Sequence, residues 1–352
     1  MSAVEFIVPA GIDDPTRPSG GNVYDRRIAR GLAAAGWPVR VEEVPGTWPS
    51  PDARAFGALA AAVGGIPDGA VVLIDGLVAS PAPEVLRAES GRVRLVVLVH
   101  MPLGHASTDF GARAREEAAL SEAEAVVTTS AWARRTLLDL YSLPSERVSV
   151  AEPGVDHAAL APATDTAGEL LAVAAVIPGK GHDVLLEALA PLARLAWRCQ
   201  CVGSLERDPA FVHRLRRRAL EAGMNGRVRF SGPQTGAELA RSYAAADVLV
   251  LPSRAETYGM VIAEALARGL PVVATDVGGV PEALGHGLDG TRPGLLVPAG
   301  DPAALRGALR AWLEDAELRR RLRAAARERR TSLSDWSTTS SAVAAALQRA
   351  AR

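Results

Sequence analysis

The stretch PSRAETYGMVIAEAL, residues 252–266, stands between an apolar run typical of a buried strand and a helical pattern. Glu256 precedes the helical pattern, and Glu264 lies eight positions later on one of its faces. Gly259 lets backbone N–H groups approach a ligand, and the start of a helix favours an anion. The stretch therefore indicates a site for hydroxyls and phosphate. An equally good interpretation is that one glutamate caps the helix and the other is a surface charge.

Short apolar runs alternate with helical patterns on both sides of this stretch. Runs that are apolar on both faces are typical of parallel strands covered by helices on both sides. In the first half the predicted strands are 5–8, 39–44, 71–74, 95–99, 125–128 and 148–151. In the second half they are 170–176, 198–202, 228–230, 248–251, 272–274 and 295–297.

Residues 156–168 interrupt this alternation, because they contain prolines, threonines and aspartates without periodicity. We interpret them as a linker between two Rossmann-like α/β domains, residues 1–160 and 169–332, followed by a C-terminal helix over 333–352. In folds of this type ligands bind beyond the carboxyl ends of the strands. We therefore expect a ligand cleft between the carboxyl ends of the two sheets.

Composition and charge exclude several classes of partner. The chain has 352 residues, and its 39 basic and 40 acidic side chains leave a net charge of −1. No overall field therefore attracts nucleic acid or an anionic membrane. The two cysteines, Cys199 and Cys201, are too close in sequence for an unstrained disulfide, and no apolar stretch reaches membrane-spanning length. These features predict a cytoplasmic protein without a transmembrane segment.

The stretch 252–266 also resembles the E-x7-E signature of glycosyltransferase family 4. The resemblance continues in the segments 269–275 and 278–282, and it spans most of residues 150–313 with order and spacing preserved. It implies the GT-B fold, in which two Rossmann-like domains face a central cleft, with the C-terminal helix packing back toward the first domain. It also implies a retaining enzyme that uses a nucleotide sugar.

The resemblance assigns roles to individual residues of the stretch. It implies that Glu256, as a catalytic-site residue, binds hydroxyls of the donor sugar and that Glu264 binds the nucleotide ribose. It further implies that backbone amides of one turn meet the donor phosphate, namely those of Thr257, Tyr258, Gly259, Met260 and Val261.

A second phosphate-binding element is expected after the strand 170–176. The family carries an arginine near that strand end and a lysine before glycine five residues later. Here Lys180 is present, whereas Ala175 occupies the arginine position. A charge-assisted contact to phosphate is worth about 1.5–3 kcal/mol. Our hypothesis is that Arg254, just before the glutamate motif, supplies the missing cation.

Two elements of the first domain complete the predicted site. Gly20 and Gly21 follow the first strand and precede a helix, so they are either a flexible turn or a loop that approaches a ligand. The family has a glycine-rich loop here, near the donor diphosphate. His100 ends a central strand, where it is either structural or able to hold a sugar hydroxyl. The resemblance implies that it contacts the donor sugar.

The sequence predicts no metal site and no cofactor beyond the sugar donor. It shows no acidic pair for a metal-bound diphosphate, so Lys180 and the backbone groups would neutralise the leaving group. The expected donor is a UDP, GDP, ADP or dTDP sugar, and the acceptor and oligomeric state are left open. A nucleotide-sugar epimerase, a phosphorylase and a non-catalytic two-lobed sugar-binding protein are the alternative functions.

Overall fold

Twelve strands form two separate parallel sheets in the computed structural model, which describes residues 3–106 and 110–352. The chain divides into two units, each built on one six-stranded sheet. The first unit comprises the chain up to Asp13, Gly20–Gly154 and Ser334–Arg352. The second comprises Asp14–Ser19 and Val155–Leu333.

The first unit alternates strands and helices. Its elements are β1 (Val4–Pro9), α1 (Gly20–Ala34), β2 (Val39–Val44), α2 (Ala53–Gly64), β3 (Val71–Asp75), α3 (Gly76–Ala79), α4 (Pro83–Glu89), β4 (Arg94–Val99), α5 (Leu103–Ala106), α6 (Phe110–Ser121), β5 (Ala125–Thr128), α7 (Ala131–Leu140) and β6 (Val148–Val150). The strand order is β2-β1-β3-β4-β5-β6, so the direction of the connections reverses between β1 and β3. Ligands of open α/β sheets bind at this kind of reversal.

The second unit has the same alternation. Its elements are β7 (Glu169–Val173), α8 (His182–Leu189), β8 (Arg198–Val202), α9 (Pro209–Glu221), β9 (Val228–Gly232), α10 (Gly236–Ala244), β10 (Val248–Leu251), α11 (Met260–Leu266), β11 (Val272–Thr275), α12 (Val280–Leu284), β12 (Gly294–Val297), α13 (Pro302–Glu314) and α14 (Ala316–Arg329). The order β12-β11-β10-β7-β8-β9 places its reversal between β10 and β7.

The last helix, α15 (Trp336–Ala350), completes the first unit. Its Val343 and Leu347 are buried in one core cluster with Leu73 of β3 and Ile28 of α1. The neighbouring residue Ile74 belongs to a different cluster, because successive side chains of a strand point to opposite faces. The C-terminal helix therefore covers one face of the first sheet, as predicted.

The segment that the sequence marks as a linker is fixed to the second unit. Asp247, which is fully buried, accepts hydrogen bonds from the backbone N–H and the hydroxyl of Thr164 at 2.7 and 2.6 Å. It also accepts one from the backbone N–H of Glu169 at 3.0 Å and lies 3.2 Å from the Arg323 guanidinium. The boundary between the units therefore falls at Gly154, before this segment.

The strands lie where the sequence predicts them, with small differences at their ends. The first strand of the second unit ends at Val173, three residues before the predicted end, because the chain turns into a short 3₁₀ helix over Pro178–Lys180. Cys199 and Cys201 are buried and unpaired on β8. None of the helices in the described part of the chain combines the length and apolar character needed to cross a membrane.

Candidate active site

Lys180 and Glu256 meet at the reversal point of the second sheet. Lys180 follows β7 and Glu256 follows the adjacent strand β10, so the parallel order brings both loops to the same sheet edge. The Lys180 Nζ lies 2.5 Å from the Glu256 Oε1, and the two side chains are 28% and 13% exposed. Lys180 is also the only lysine in the chain. Two residues that were predicted from separate motifs are therefore in direct contact in the fold.

A glycine allows the two loops to approach closely. Gly181 has a φ of +68°, and a Cβ at this position would overlap the carbonyl oxygen of Pro252. The backbone N–H of Arg254 donates to the carbonyl of Gly179 at 2.9 Å, which joins the loops a second time. A side chain at position 181 would therefore force these two loops apart.

Ser253 orients Glu256, and sequence reasoning did not single it out. Its hydroxyl donates to Glu256 Oε1 at 2.9 Å, and its own carbonyl accepts a hydrogen bond from the Thr275 hydroxyl at 2.5 Å. Ser253 and Thr275 are both buried. A serine beside an acidic motif gives no signal in one sequence, because its partner on β11 becomes visible only in the fold.

Glu264 lies on α11 and is held by Tyr243. The tyrosine hydroxyl donates to Glu264 Oε2 at 2.7 Å. Burial, followed by the charge of Glu264, raises the pKa of Tyr243 well above its usual value, so the phenol remains a donor. The Arg268 guanidinium lies 4.6 Å from the centre of the tyrosine ring. The carboxylate predicted to bind ribose is therefore fixed by a neutral donor.

The turn between the two glutamates offers backbone groups to a ligand. Gly259 has a φ of +90° and precedes α11, while the Tyr258 side chain is buried in the core. Gly278, with a φ of +55°, packs so closely that a Cβ would overlap the carbonyl oxygen of Glu256. The proposed contacts of Thr257–Val261 with phosphate stay predictions.

Arg254 has a partner that the sequence did not reveal. Its guanidinium makes two parallel hydrogen bonds to the Asp183 carboxylate, at 2.9 and 2.8 Å, and a third to the carbonyl of Pro178. Such a bidentate pair is a strong form of ion pair. The charge that we expected to compensate for Ala175 is therefore neutralised by Asp183, and a contact to phosphate would require Arg254 to leave this partner.

His100 belongs to a buried charged cluster of the first unit. Its Nε2 lies 2.7 Å from Oδ1 of Asp25, on α1, and 3.9 Å from Oδ2 of Asp75, at the end of β3. Burial would lower the pKa of His100, but the charge of Asp25 and its hydrogen bond to the ring outweigh burial and raise the pKa to about 9. The histidine is therefore an imidazolium at neutral pH.

Asp75 and Asp25 share this environment and were both missed by sequence reasoning. Burial, followed by the charge of Asp25, raises the pKa of Asp75 well above its usual range, so Asp75 keeps its proton. The three side chains place one possible ligand atom each within 4.8 Å of one another, and metal sites use such residues. His100 and Asp25 already form an ion pair at 2.7 Å, so each charge has a partner within the protein.

Gly21 packs against the His100 ring. A Cβ on Gly21 would lie 3.3 Å from the ring carbon Cδ2, tighter than most side-chain contacts. Gly20 is the exposed first residue of α1. Gly21 thus allows α1 to approach the histidine, and the proposed contact of both glycines with a donor stays a prediction.

Glu116 fixes the loop that follows His100. This buried carboxylate accepts hydrogen bonds from the backbone N–H groups of Leu103 and Gly104, at 2.9 and 2.8 Å, and from the Tyr141 hydroxyl at 2.5 Å. The carboxyl end of β4 is therefore held by α6, which carries Glu116. The sequence alone showed only an acidic residue in a helix.

Comparison with known proteins finds a family match within the second unit. Residues 161–329 match the family described as glycosyl transferases group 1. They form a group 1 glycosyltransferase domain. The D-inositol 3-phosphate glycosyltransferase of Jonesia denitrificans is 35% identical to this chain over 254 residues, which cover 66% of the chain and 59% of that protein. The chain spans less than two thirds of the length of this relative and of two others with the same name.

Solved structures place both units in one known fold. Sucrose-phosphate synthase from Thermosynechococcus elongatus has a TM-score of 0.78 at 24% identity, with 98% of each chain covered. The Anabaena protein HepE, solved with UDP and glucose, has a TM-score of 0.77 at 20% identity, with 99% of this chain and 100% of HepE covered. This likeness confirms the predicted α/β class of the GT-B type around the glycosyltransferase domain.

Proposed function

We propose that the chain is a retaining glycosyltransferase that moves a sugar from a nucleotide diphosphate sugar to an acceptor hydroxyl without a metal ion. The contact between Lys180 and Glu256 carries this proposal. It places an ammonium, suited to a diphosphate, beside a carboxylate, suited to sugar hydroxyls, where open α/β sheets bind ligands. Lys180 is the single lysine of the chain, and it stands where the resemblance implies a lysine at the diphosphate.

The chemistry requires charge neutralisation more than a strong base. The bond between the sugar C1 and the phosphate oxygen breaks as the acceptor oxygen bonds to C1 on the same face. The acceptor proton passes to the departing phosphate. Lys180 would stabilise the negative charge that develops on this leaving group, and Glu256 would hold the sugar hydroxyls. The Tyr243–Glu264 pair would bind the nucleotide ribose.

The first unit would supply the acceptor site and His100. With an imidazolium at position 100, a hydrogen-bond donor rather than a base would face the sugar.

Two buried, unpaired cysteines support the proposed cytoplasmic compartment.

A thermal-shift screen against UDP, GDP, ADP and dTDP tests the donor half. A ligand at 100 times its Kd adds about 2.7 kcal/mol of stability, which gives a clear rise in Tm. We expect one nucleotide to raise the Tm of the wild-type chain and to lose most of this effect in Lys180→Met. If none of the four shifts the protein at millimolar concentration, the proposal fails.

The single lysine permits a second, chemical test. Pyridoxal phosphate with borohydride labels amines, and this chain offers one side-chain amine besides its N-terminus. We expect the selected nucleotide to protect Lys180 from labelling, as measured by peptide mass spectrometry, while the N-terminus reacts as before. Equal labelling with and without nucleotide would contradict a role of Lys180 at the diphosphate. Formation of an epimer without acceptor, or cleavage that requires phosphate, would instead identify an epimerase or a phosphorylase.

A further inference from the structure

The Asp25–His100–Asp75 cluster contains more than a sugar-contacting histidine needs. Asp25 and Asp75 are fully buried, whereas His100 retains 14% of its side-chain surface. Buried carboxylates are costly unless they are paired or protonated. Each of the three lies at the carboxyl edge of the first sheet, near the reversal between β1 and β3. Two buried carboxyl groups therefore lie next to one histidine.

The hydrogen bonds in the cluster have one consistent arrangement. His100 Nε2 donates to Asp25 Oδ1 at 2.7 Å. Asp75 Oδ1 accepts from the backbone N–H of Leu77 at 2.7 Å. Asp25 Oδ2 is buried and makes no hydrogen bond among the described residues. A proton on Asp75 would supply a donor inside the cluster, since a hydrogen bond with Asp25 is one of the effects that raise the pKa of Asp75. Asp25 is then the only ionised acid of the cluster.

Tyr24 and Gly21 pack against the imidazole and fix its orientation. Tyr24 packs edge-on against His100, with ring centres 5.2 Å apart, and its hydroxyl donates to the carbonyl of Ala151 at 2.8 Å. Burial, followed by the charge of Asp25, raises the pKa of Tyr24, so this phenol stays neutral. Gly21 packs on the ring edge. Among the described residues, Asp25 and Asp75 lie 2.7 and 3.9 Å from His100 Nε2, and the neutral Tyr24 packs against the ring.

We propose that Asp25 is a positioning residue that keeps His100 protonated, and that Asp75 supports it by donating a hydrogen bond to its second oxygen. In the proposed sugar transfer, on which this role rests, His100 is a fixed cationic donor and not a general base. A histidine beside an aspartate otherwise resembles a base that activates a hydroxyl. With Nε2–H held by Asp25, a neutral ring would keep a free lone pair at Nδ1 and could act as a base. The imidazolium carries a proton at Nδ1 as well, so that nitrogen is a donor.

The protonation state can be measured in the full chain without any ligand. Long-range ¹H–¹⁵N spectra of histidine-labelled protein distinguish imidazolium from neutral imidazole, and His100→Gln identifies the signal among the six histidines. We expect wild-type His100 to be an imidazolium at pH 7.5 and to titrate near pH 9. In Asp25→Asn it should be neutral at pH 7.5, because burial then acts without a compensating charge. A neutral wild-type His100 overturns the proposal.

Two further variants separate charge from structure. Asp75→Asn should leave His100 an imidazolium, because an amide N–H replaces the proton that Asp75 carries. Asp52→Asn, a matched change at the N-cap of α2, should leave the His100 signal as in wild type. If Asp75→Asn neutralises His100 as fully as Asp25→Asn does, both acids are ionised and the arrangement is wrong.

The functional consequence is read from a pH profile. With UDP-glucose as probe, release of UDP by Asp25→Asn should fall at least tenfold at pH 8 and recover most of this loss at pH 6, where the imidazole regains its proton. Equal loss at both pH values would indicate a merely structural role and overturn the proposal, as would activity that requires an added divalent metal. A wild-type chain that neither binds nor turns over any nucleotide sugar refutes the proposed function, while the spectra still decide how His100 is held.

Discussion

The Glu256→Gln variant separates sugar recognition from nucleotide binding. In the wild type, Glu256 Oε1 accepts hydrogen bonds from both Lys180 and Ser253, at 2.5 and 2.9 Å. Glutamine keeps the shape and one acceptor oxygen but loses the charge. Lys180 is thereby released from its partner, whereas the sugar loses a charged acceptor. The two effects on ligand binding have opposite signs.

The magnitudes follow from the exposure of the pair. The Lys180 and Glu256 side chains are only 28% and 13% exposed, so the cost of desolvating both charges offsets much of their attraction, and the pair contributes roughly 1 kcal/mol. Its loss should leave the affinity for the nucleotide diphosphate unchanged or improve it by up to about fivefold. A hydrogen bond between a hydroxyl and a carboxylate is worth about 1.5–3 kcal/mol, so kcat/KM for the nucleotide sugar should fall roughly 10- to 150-fold.

Calorimetry and steady-state kinetics together test this reasoning. UDP and UDP-glucose, or the pair that contains the nucleotide selected by the thermal-shift screen, are titrated into both proteins. Glu187→Gln is the matched control, because Glu187 forms an exposed pair with Arg218 at 2.7 Å on the surface of the same unit. It should change neither quantity. Full transfer activity in Glu256→Gln, or an equal loss of affinity for both ligands, would refute the assigned role.

Three other perturbations have defined outcomes. Tyr243→Phe removes the donor to Glu264, so calorimetry should show nucleotide affinity weakened by about 1 kcal/mol, and unchanged affinity would exclude the glutamate from the ribose site. Asp247→Asn leaves buried donors unsatisfied and should lower the free energy of unfolding of the second unit by about 3 kcal/mol in urea titrations. Folding raises the pKa of His100 from 6.5 to about 9, so its contribution is complete below pH 6.5 and is lost as pH rises through 9. Burial and the charge of Asp25 also raise the pKa of Asp75, from 3.8 to about 8, so its contribution to stability is likewise lost as pH rises through 8. Urea unfolding should therefore show a fall on the order of 3 kcal/mol between pH 6.5 and 9 in wild type, and a smaller fall in His100→Gln.

Four short helices were the part of the fold that the sequence did not reveal. The short helices Gly76–Ala79, Pro83–Glu89, Leu103–Ala106 and Val280–Leu284 are absent from the predicted pattern. A helix of four to seven residues shows too little of the 3.6-residue period to stand out. By contrast, every predicted strand is present, because runs of branched apolar residues between turn signals are characteristic of covered parallel strands.

The sequence alone determined the alternation of strands and helices, the two-sheet architecture and the identity of Lys180, Glu256, Glu264 and His100 as site candidates. These features are local, since periodicity and motif spacing are written along the chain. Only the tertiary structure decided which side chains become partners. It joined Arg254 to Asp183, and it placed two buried acids around His100. Such pairs form because parallel strand order brings distant loops to one sheet edge, and burial then makes each charge depend on the partner it finds there.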